Sequence, residues 1–401
     1  MGNRKLVSTI TGQEYSFDRI KEFGNQNDPL EVRLENIENA LIKEGQYLWQ
    51  RFDDFLPFSN IDESISLGEG NTALIKADRK LLDYVNLKNL YLKDETCNPT
   101  GSFKDRGSLF CIAMAKEMGE KVTATISTGN MGHSIAAYGA RSNLKVVVFV
   151  SQSTPRDKLM PIALNGAKIF KIIAPDYAEM KKQLLGMADK LNLRIVSGNG
   201  PIRVEGYKLT AFEMFEQMNG NVPDYIAVPT SACGHIRGIF KGYRELKQAG
   251  LIDNLPNMVV VQARNNSPIV KALKQGRNDV VPFTNFHTVA EAITTGNPLG
   301  GREIIDKTRK FGWLAEDVSE KEIIDSQKVL AQSGFFVQPA SATSLYAVKK
   351  LRKSGKIKKD AKVVIMLTGS GLKDATAFRN HQADIREIKL EAVEREIGRL
   401  K

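Results

Sequence analysis

Eight short runs rich in valine and isoleucine recur along this chain, each separated from the next by a longer amphipathic stretch: "NLYLK", "TATIST", "KVVVFVS", "AKIFKII", "RIVSG", "YIAVPT", "MVVVQA" and "KVVIMLTG". Several end in glycine, serine or threonine just before a helical pattern begins, which is the grammar of strand and crossover helix. Strands joined in this way favour parallel sheets covered on both faces. Ligands of such sheets collect at the carboxyl ends of the strands, so the residues that follow each run are the ones to read for chemistry.

The 401 residues are 42% hydrophobic and 26% charged, enough apolar material for two domains with separate cores. A net charge of +11 fits a nucleic-acid partner, an anionic small substrate or a solvated basic surface. The densest basic run, "KIKKDAK", is short, lacks interleaved aromatics and leads into a strand pattern, so it reads as a solvated face and nucleic acid is disfavoured. Cys97, Cys111 and Cys233 stand far apart without CxxC spacing, which suggests neither a disulfide framework nor a metal site. No apolar signal core opens the chain, and no apolar run approaches the roughly 18 residues of a membrane span. A soluble cytoplasmic protein with no membrane partner is expected. In the first 60 or so residues, "DPLEVRLENIENALI" and "QYLWQRFDDFLPF" suggest helix and aromatic packing, and "NHQADIREIKLEAVEREIGRLK" reads as a terminal amphipathic helix docked on the body or a neighbour.

Four strand ends carry the candidate chemistry. In "LYLKDETCNPTGSFKDRG" a strand passes through a turn into a helix, with Ser102 placed as a cap and Asp105 suited to the first-turn dipole. Lys104 is either a solvated surface charge or an amine held for covalent work, because the positive end of a helix disfavours the ammonium form. "ISTGNMGHSIAAYGAR" offers Ser127, Thr128 and Asn130 with free backbone N–H groups to a carboxylate. "PTSACGHIRG" makes a small-residue nest suited to a phosphate, although it is no Walker loop; either loop is equally readable as a tight turn. "IMLTGSGLKD" lacks the third glycine of a dinucleotide fingerprint, which disfavours a Rossmann dehydrogenase.

Taken in order, "LGEGNTALIKA", "YLKDETCNPTGSFKDRG", "STGNMGHSIAAYGAR", "RVEGYKLTAFE", "GNPLGGREI", "GFFVQPASATSLYAVKKL" and "LTGSGLKD" resemble the landmarks of the threonine synthase family, over roughly residues 60 to 375. That family belongs to the fold-type-II, tryptophan-synthase-β-like pyridoxal-phosphate enzymes. The resemblance implies a two-domain α/β fold of mostly parallel sheets flanked by helices, with the active site between the domains. On this reading residues 1–90 and 200–385 form a large domain with an N-terminal helical arm, 91–199 a smaller domain and 386–401 a C-terminal helix.

The resemblance further implies that Lys104 carries pyridoxal 5'-phosphate as a Schiff base and shuttles protons, that Phe103 packs near the cofactor ring and that Asn130 bonds its 3'-hydroxyl. Ser231, Ala232, Cys233, Gly234 and His235 match the phosphate-binding loop, and Thr368 the hydroxyl that faces the pyridine nitrogen. The implied reaction converts O-phospho-L-homoserine and water to L-threonine and phosphate, and a homodimer is expected from the family. Ser127, Thr128 and Asn130 would receive the α-carboxylate, while Arg203, and secondarily Lys93, would receive the substrate phosphate.

Departures fall around the substrate. Met131 stands where the family commonly has a hydroxyl, Gly198 lies near a common serine position, and Cys233 and His235 replace small or amide residues, His235 serving as a cationic donor or lying in solvent. A serine/threonine dehydratase or a β-replacement enzyme for another amino acid would share the cofactor contacts. A catalytically silent scaffold is disfavoured by Lys104, Asn130 and Thr368.

Overall fold

The computed structural model describes residues 4–399 apart from 18–19, 59, 175–176, 189, 285, 375–378, 380, 383–384 and 386. All eight apolar runs form strands, and they sort into two sheets. Six strands make the larger sheet, in the order Leu314–Val318, Asn257–Ala263, Tyr225–Pro229, Lys362–Leu367, Asn89–Asp94 and Leu74–Lys76; only the last, at the edge, is antiparallel. Four parallel strands make the second, in the order Lys168–Ile172, Lys145–Ser151, Val122–Ile126 and Ile195–Val196. Valines 259, 260, 261, 363 and 364 are wholly buried, as parallel strands covered on both faces require.

Register brings the candidate loops together. Leu367 pairs with Asp94, so the loop that holds Thr368 and the turn that leads to Lys104 leave the sheet side by side. Thr125 pairs with Val196, which sets the loops after Ile126 and Val196 next to each other on the second sheet.

The N-terminal region differs from the helical expectation. Arg4–Ser8, Glu14–Tyr15 and Leu30–Leu34 form a three-stranded antiparallel sheet. "LEVRL" alternates apolar and charged residues with period two, burying Leu30 and Val32, and Asn36 in the left-handed region ends it before a single turn at Ile37–Asn39. The aromatic packing is present: Phe52 stacks on Phe212 at 4.6 Å and Phe55 tilts against the same ring at 5.1 Å. At the other end the docked amphipathic helix is not seen. The span expected at 386–401 holds a turn at Leu390–Ala392 and a short helix at Val393–Gly398, neither burying a residue, while 386 and 400–401 lie outside the described residues. Asn89–Asp94 belongs to the six-stranded sheet, so a division at residue 91 would cut a strand.

Three helices, Lys104–Glu117, Pro201–Gln217 and Gly234–Gln248, form the slab against which the site is built. The middle one is buried from Pro201 to Met214. It touches its neighbours backbone to backbone: a Cβ at Gly206 would lie 2.2 Å from the Arg106 carbonyl oxygen. Gly206→Ala is therefore expected to destabilise the fold by about 1–3 kcal/mol through overpacking, read as a lower urea midpoint at unchanged slope. An unchanged midpoint would show that the helices do not meet this closely.

Candidate active site

The loop from Asn98 to Phe103 is held from three sides. Asn98 Nδ2 donates to the Glu95 carbonyl oxygen (2.9 Å) and to Glu95 Oε2 (2.8 Å). Asp105 accepts from Thr100 N, Thr100 Oγ1 and Ser134 Oγ, each at 2.6 Å, tying the loop to the helix Asn130–Arg141. Phe103 N donates to the Thr368 carbonyl (3.2 Å) and Ser370 N to the Gly101 carbonyl (2.9 Å), so the last strand's loop clasps the first. Ser102 does not cap the helix as expected: Phe103 takes the cap position, and the Ser102 hydroxyl is buried without a protein partner among the described residues.

Below lies an ion cluster. Arg106 Nε and Nη2 grip Glu95 at 2.8 and 2.7 Å, and its Nη1 reaches Glu213 Oε2 at 2.7 Å. Lys93 donates to Glu213 Oε1 (2.6 Å), the Thr72 carbonyl (2.7 Å) and Gln217 Oε1 (2.8 Å). With no exposed surface and all three hydrogens taken, Lys93 is an internal ion; the substrate-binding role expected for it is not supported by its position.

Lys104 itself faces a cleft of about 1880 Å³, with Nζ 4.2 Å from the Phe103 ring centre. Burial, and then the charge of Arg203, draw its pKa down to about 7. Phe103, Ser127, Thr128, Asn130, Ser231, Ala232, Cys233, Gly234, His235 and Thr368 all line the same cleft, as does Met131 beside Gly198. Asn130 Nδ2 donates to Gln338 Oε1 (2.7 Å), and the Thr368 and Ser341 hydroxyls pair at 2.9 Å. Ser231 pairs with the Thr295 hydroxyl at 2.8 Å. Cys233, with φ of 77°, turns the chain into the Gly234 helix, whose first N–H groups have no intrahelical acceptor.

Two further expectations change. Arg203 is buried behind Lys104, not in the cleft: its Nη1 lies 3.2 Å from Ser108 Oγ and 3.5 Å from the Lys104 carbonyl, because the Pro201 helix is enclosed on all sides. His235 is neither a cationic donor nor solvated. It is 4% exposed, stacks on Phe103 at 3.9 Å, and is held neutral with a pKa near 3, by burial first and then by Lys104 and Arg106.

Residues 65–369 match the family of pyridoxal-phosphate dependent enzymes, and the chain belongs to that family. It is 38% identical to the threonine synthase of Methanocaldococcus jannaschii over 86% of this chain and 85% of that one, and 35% identical to the threonine synthase of Halalkalibacterium halodurans over 82% and 89%. Within the pyridoxal-phosphate enzymes it therefore belongs with the threonine synthases. Solved structures share the fold: tomato threonine deaminase isoform 2 superposes with a TM-score of 0.66 at 18% identity, covering 90% of this chain and 91% of that one, and O-ureido-L-serine synthase with 0.65 at 17%, covering 84% and 100%.

The residues present fit a phosphorylated pyridine aldehyde. Both His235 ring nitrogens are buried and lack protein partners among the described residues, at the opening of a helix whose N-terminus favours an anion. A lysine with a depressed pKa stands beside an aromatic ring in the same cleft. Sequence reasoning missed Gln338 and Ser341, which hold Asn130 and Thr368; their place in "VQPAS", at a helix start, was the available signal.

Capture of pyridoxal phosphate by cofactor-free protein requires the neutral Lys104 amine, whose fraction grows as pH rises through its pKa. Stopped-flow absorbance is expected to show a capture rate half-maximal near pH 7. Arg203→Gln removes a neighbouring positive charge, restores the ammonium form and moves that midpoint upward. A midpoint at the ordinary lysine value in the unmodified protein would refute the perturbation.

Proposed function

We infer that this protein is a threonine synthase acting on O-phospho-L-homoserine. The observation that carries the reading is Lys104, a cleft-facing amine whose pKa is drawn down to about 7, so that a large share is free base at neutral pH, in a chain similar over most of its length to threonine synthases. When bound, pyridoxal phosphate supplies an electron sink for the substrate's α-carbon. Lys104 forms the covalent link to it and, once freed, takes the Cα proton on Nζ and returns it at the end. Between those steps a Cβ proton is removed by a base and the γ-phosphate departs from Cγ with the C–O bonding pair. Cγ is then protonated to become the methyl group, and water adds at Cβ, its oxygen forming the hydroxyl and its remaining proton passing back to the base, to give threonine. Ser127, Thr128 and the start of the Asn130 helix receive the α-carboxylate, supported by their position in the cleft and by the unpaired first-turn N–H groups.

The Ser231–His235 loop receives the cofactor phosphate, with the neutral imidazole as one donor. Phe103 would pack near the ring, Asn130 would offer its amide to the 3'-hydroxyl, and Thr368 would present a neutral hydroxyl to the pyridine nitrogen, a partner that favours its unprotonated form. The two-domain division, with the site between the sheets, belongs to the same reading. So do a homodimer, supported by exposed Ile385, Leu390 and Ile397, and a cytoplasmic setting, supported by three free thiols. Among the described residues no helix is long and apolar enough to cross a membrane.

Incubation with O-phospho-L-homoserine is expected to release inorganic phosphate and threonine in equal amounts. Lys104→Ala should lower turnover at least about 100-fold, the scale of a lost acid–base group. Absence of phosphate release, with ketoacid formed from threonine or serine instead, would overturn the assignment in favour of a dehydratase.

A further inference from the structure

With Lys93 internal and Arg203 behind Lys104, the cation that meets a substrate phosphate must come from elsewhere. Four lysines and one arginine line the cleft: Lys104, Lys158, Lys181, Lys373 and Arg379, the last with its side chain exposed to solvent. Lys158 is paired with Glu291, and Lys104 is committed to the cofactor. Lys373 ends the turn Gly371–Lys373 after the last strand and has no carboxylate within 4 Å among the described residues. The acid whose field reaches it, Asp105, already accepts from Thr100 and Ser134.

Lys373 Nζ donates to the Thr100 carbonyl at 2.5 Å and lies 2.9 Å from Nδ1 of His133, in the first turn of the Asn130 helix. An ammonium has only donors, so Nδ1 accepts and the imidazole proton sits on Nε2. Burial, and then the Lys373 charge, keep His133 neutral with a pKa near 4. Two N–H groups are left over, the third hydrogen of Lys373 and Nε2–H of His133: one charged donor and one neutral, on adjacent side chains that line the cleft.

We propose that Lys373 and His133 together hold the phosphate of the phosphorylated amino-acid substrate. The proposal rests on the threonine synthase reading for the identity of that substrate. His133 lies three residues along the helix from Asn130, a rise of roughly 4.5 Å, which puts it next to the residues that receive the α-carboxylate and within reach of the other anionic end of a phosphorylated four-carbon amino acid. The pair also supplies donors on the same helix where Met131 offers none.

The test uses the cofactor-loaded enzyme. Lys373→Gln is expected to raise KM for O-phospho-L-homoserine about 10- to 100-fold, the scale of one charge-assisted hydrogen bond, with kcat within about threefold and the cofactor's absorbance unchanged. Lys181→Gln, which removes another cleft cation with no ion pair among the described residues, should leave KM within about twofold. An unchanged KM in Lys373→Gln, or a rise confined to Lys181→Gln, overturns the proposal. Inorganic phosphate provides a readout independent of turnover. It should shift one histidine Cε1–H resonance that is absent in His133→Gln, with apparent affinity about 10- to 100-fold weaker in Lys373→Gln. If the unmodified enzyme releases no phosphate from O-phospho-L-homoserine, the threonine synthase reading falls and this titration decides the anion site alone: a His133 shift sustains it, and none at millimolar phosphate overturns it.

Discussion

The placement of Lys104 depends on four charges that never see water. Lys93 and Arg106 face Glu95 and Glu213, two cations against two anions, so the cluster is neutral as a whole. Removing such groups from water is costly, and only geometry that satisfies the lone pairs and hydrogens offsets it. Here it does: the guanidinium forks onto one carboxylate and touches the other, Thr72 Oγ1 bridges both, and Lys93 uses every hydrogen. Burial alone would push the Glu95 carboxyl upward, yet Arg106 outweighs it and holds the pKa near 2. The cluster joins the Thr72 loop, the strand that carries Lys93, the Lys104 helix and the Pro201 helix, fixing where that lysine's backbone begins.

Two of the imidazoles that line the cleft stand among its lysines. His133 and His235 are both kept unprotonated by burial. Asp157, Glu291 and Asp374 also line the cleft and Glu291 takes Lys158, so the positive charge available to an anion is concentrated at the other cationic side chains, Lys373 among them, which suits ligands that bring phosphates with them. Arg203 contributes at one remove: without lining the cleft, it biases Lys104 toward the free base.

Much of this was legible in the sequence where short-range pattern decides. The eight apolar runs are strands because valine and isoleucine in short bursts suit a two-sided buried sheet, and the loops after them lie where parallel topology puts them. "LAEDV" escaped because three of its residues are only partly buried at the sheet's edge. "LEVRL" was misread because one charged residue between apolar ones satisfies a helical pattern as well as a strand until the partner strand is known. Lys93 and Arg203 were misplaced for a different reason. A lysine's environment is set by residues far away in sequence, and Glu213, 120 positions beyond Lys93, cannot be read from its neighbourhood. The Lys373–His133 contact joins residues 240 apart and was invisible for the same reason.

The close approach at Gly206 has a counterpart one helix over, where a Cβ on Gly238 would lie 2.6 Å from the Tyr207 Cβ. Helices separated by side chains can slide as rotamers rearrange, but helices in contact at bare backbone have no such bearing. The Lys104, Pro201 and Gly234 helices thus behave as one plate, carrying the Lys104 amine and the Ser231–His235 loop at a fixed mutual distance. The Asn130 helix is joined to that plate through Ser134, whose hydroxyl meets Asp105 at 2.6 Å and Ser108 at 2.7 Å, so a shift between the two would have to break side-chain hydrogen bonds and would leave the plate itself unbent.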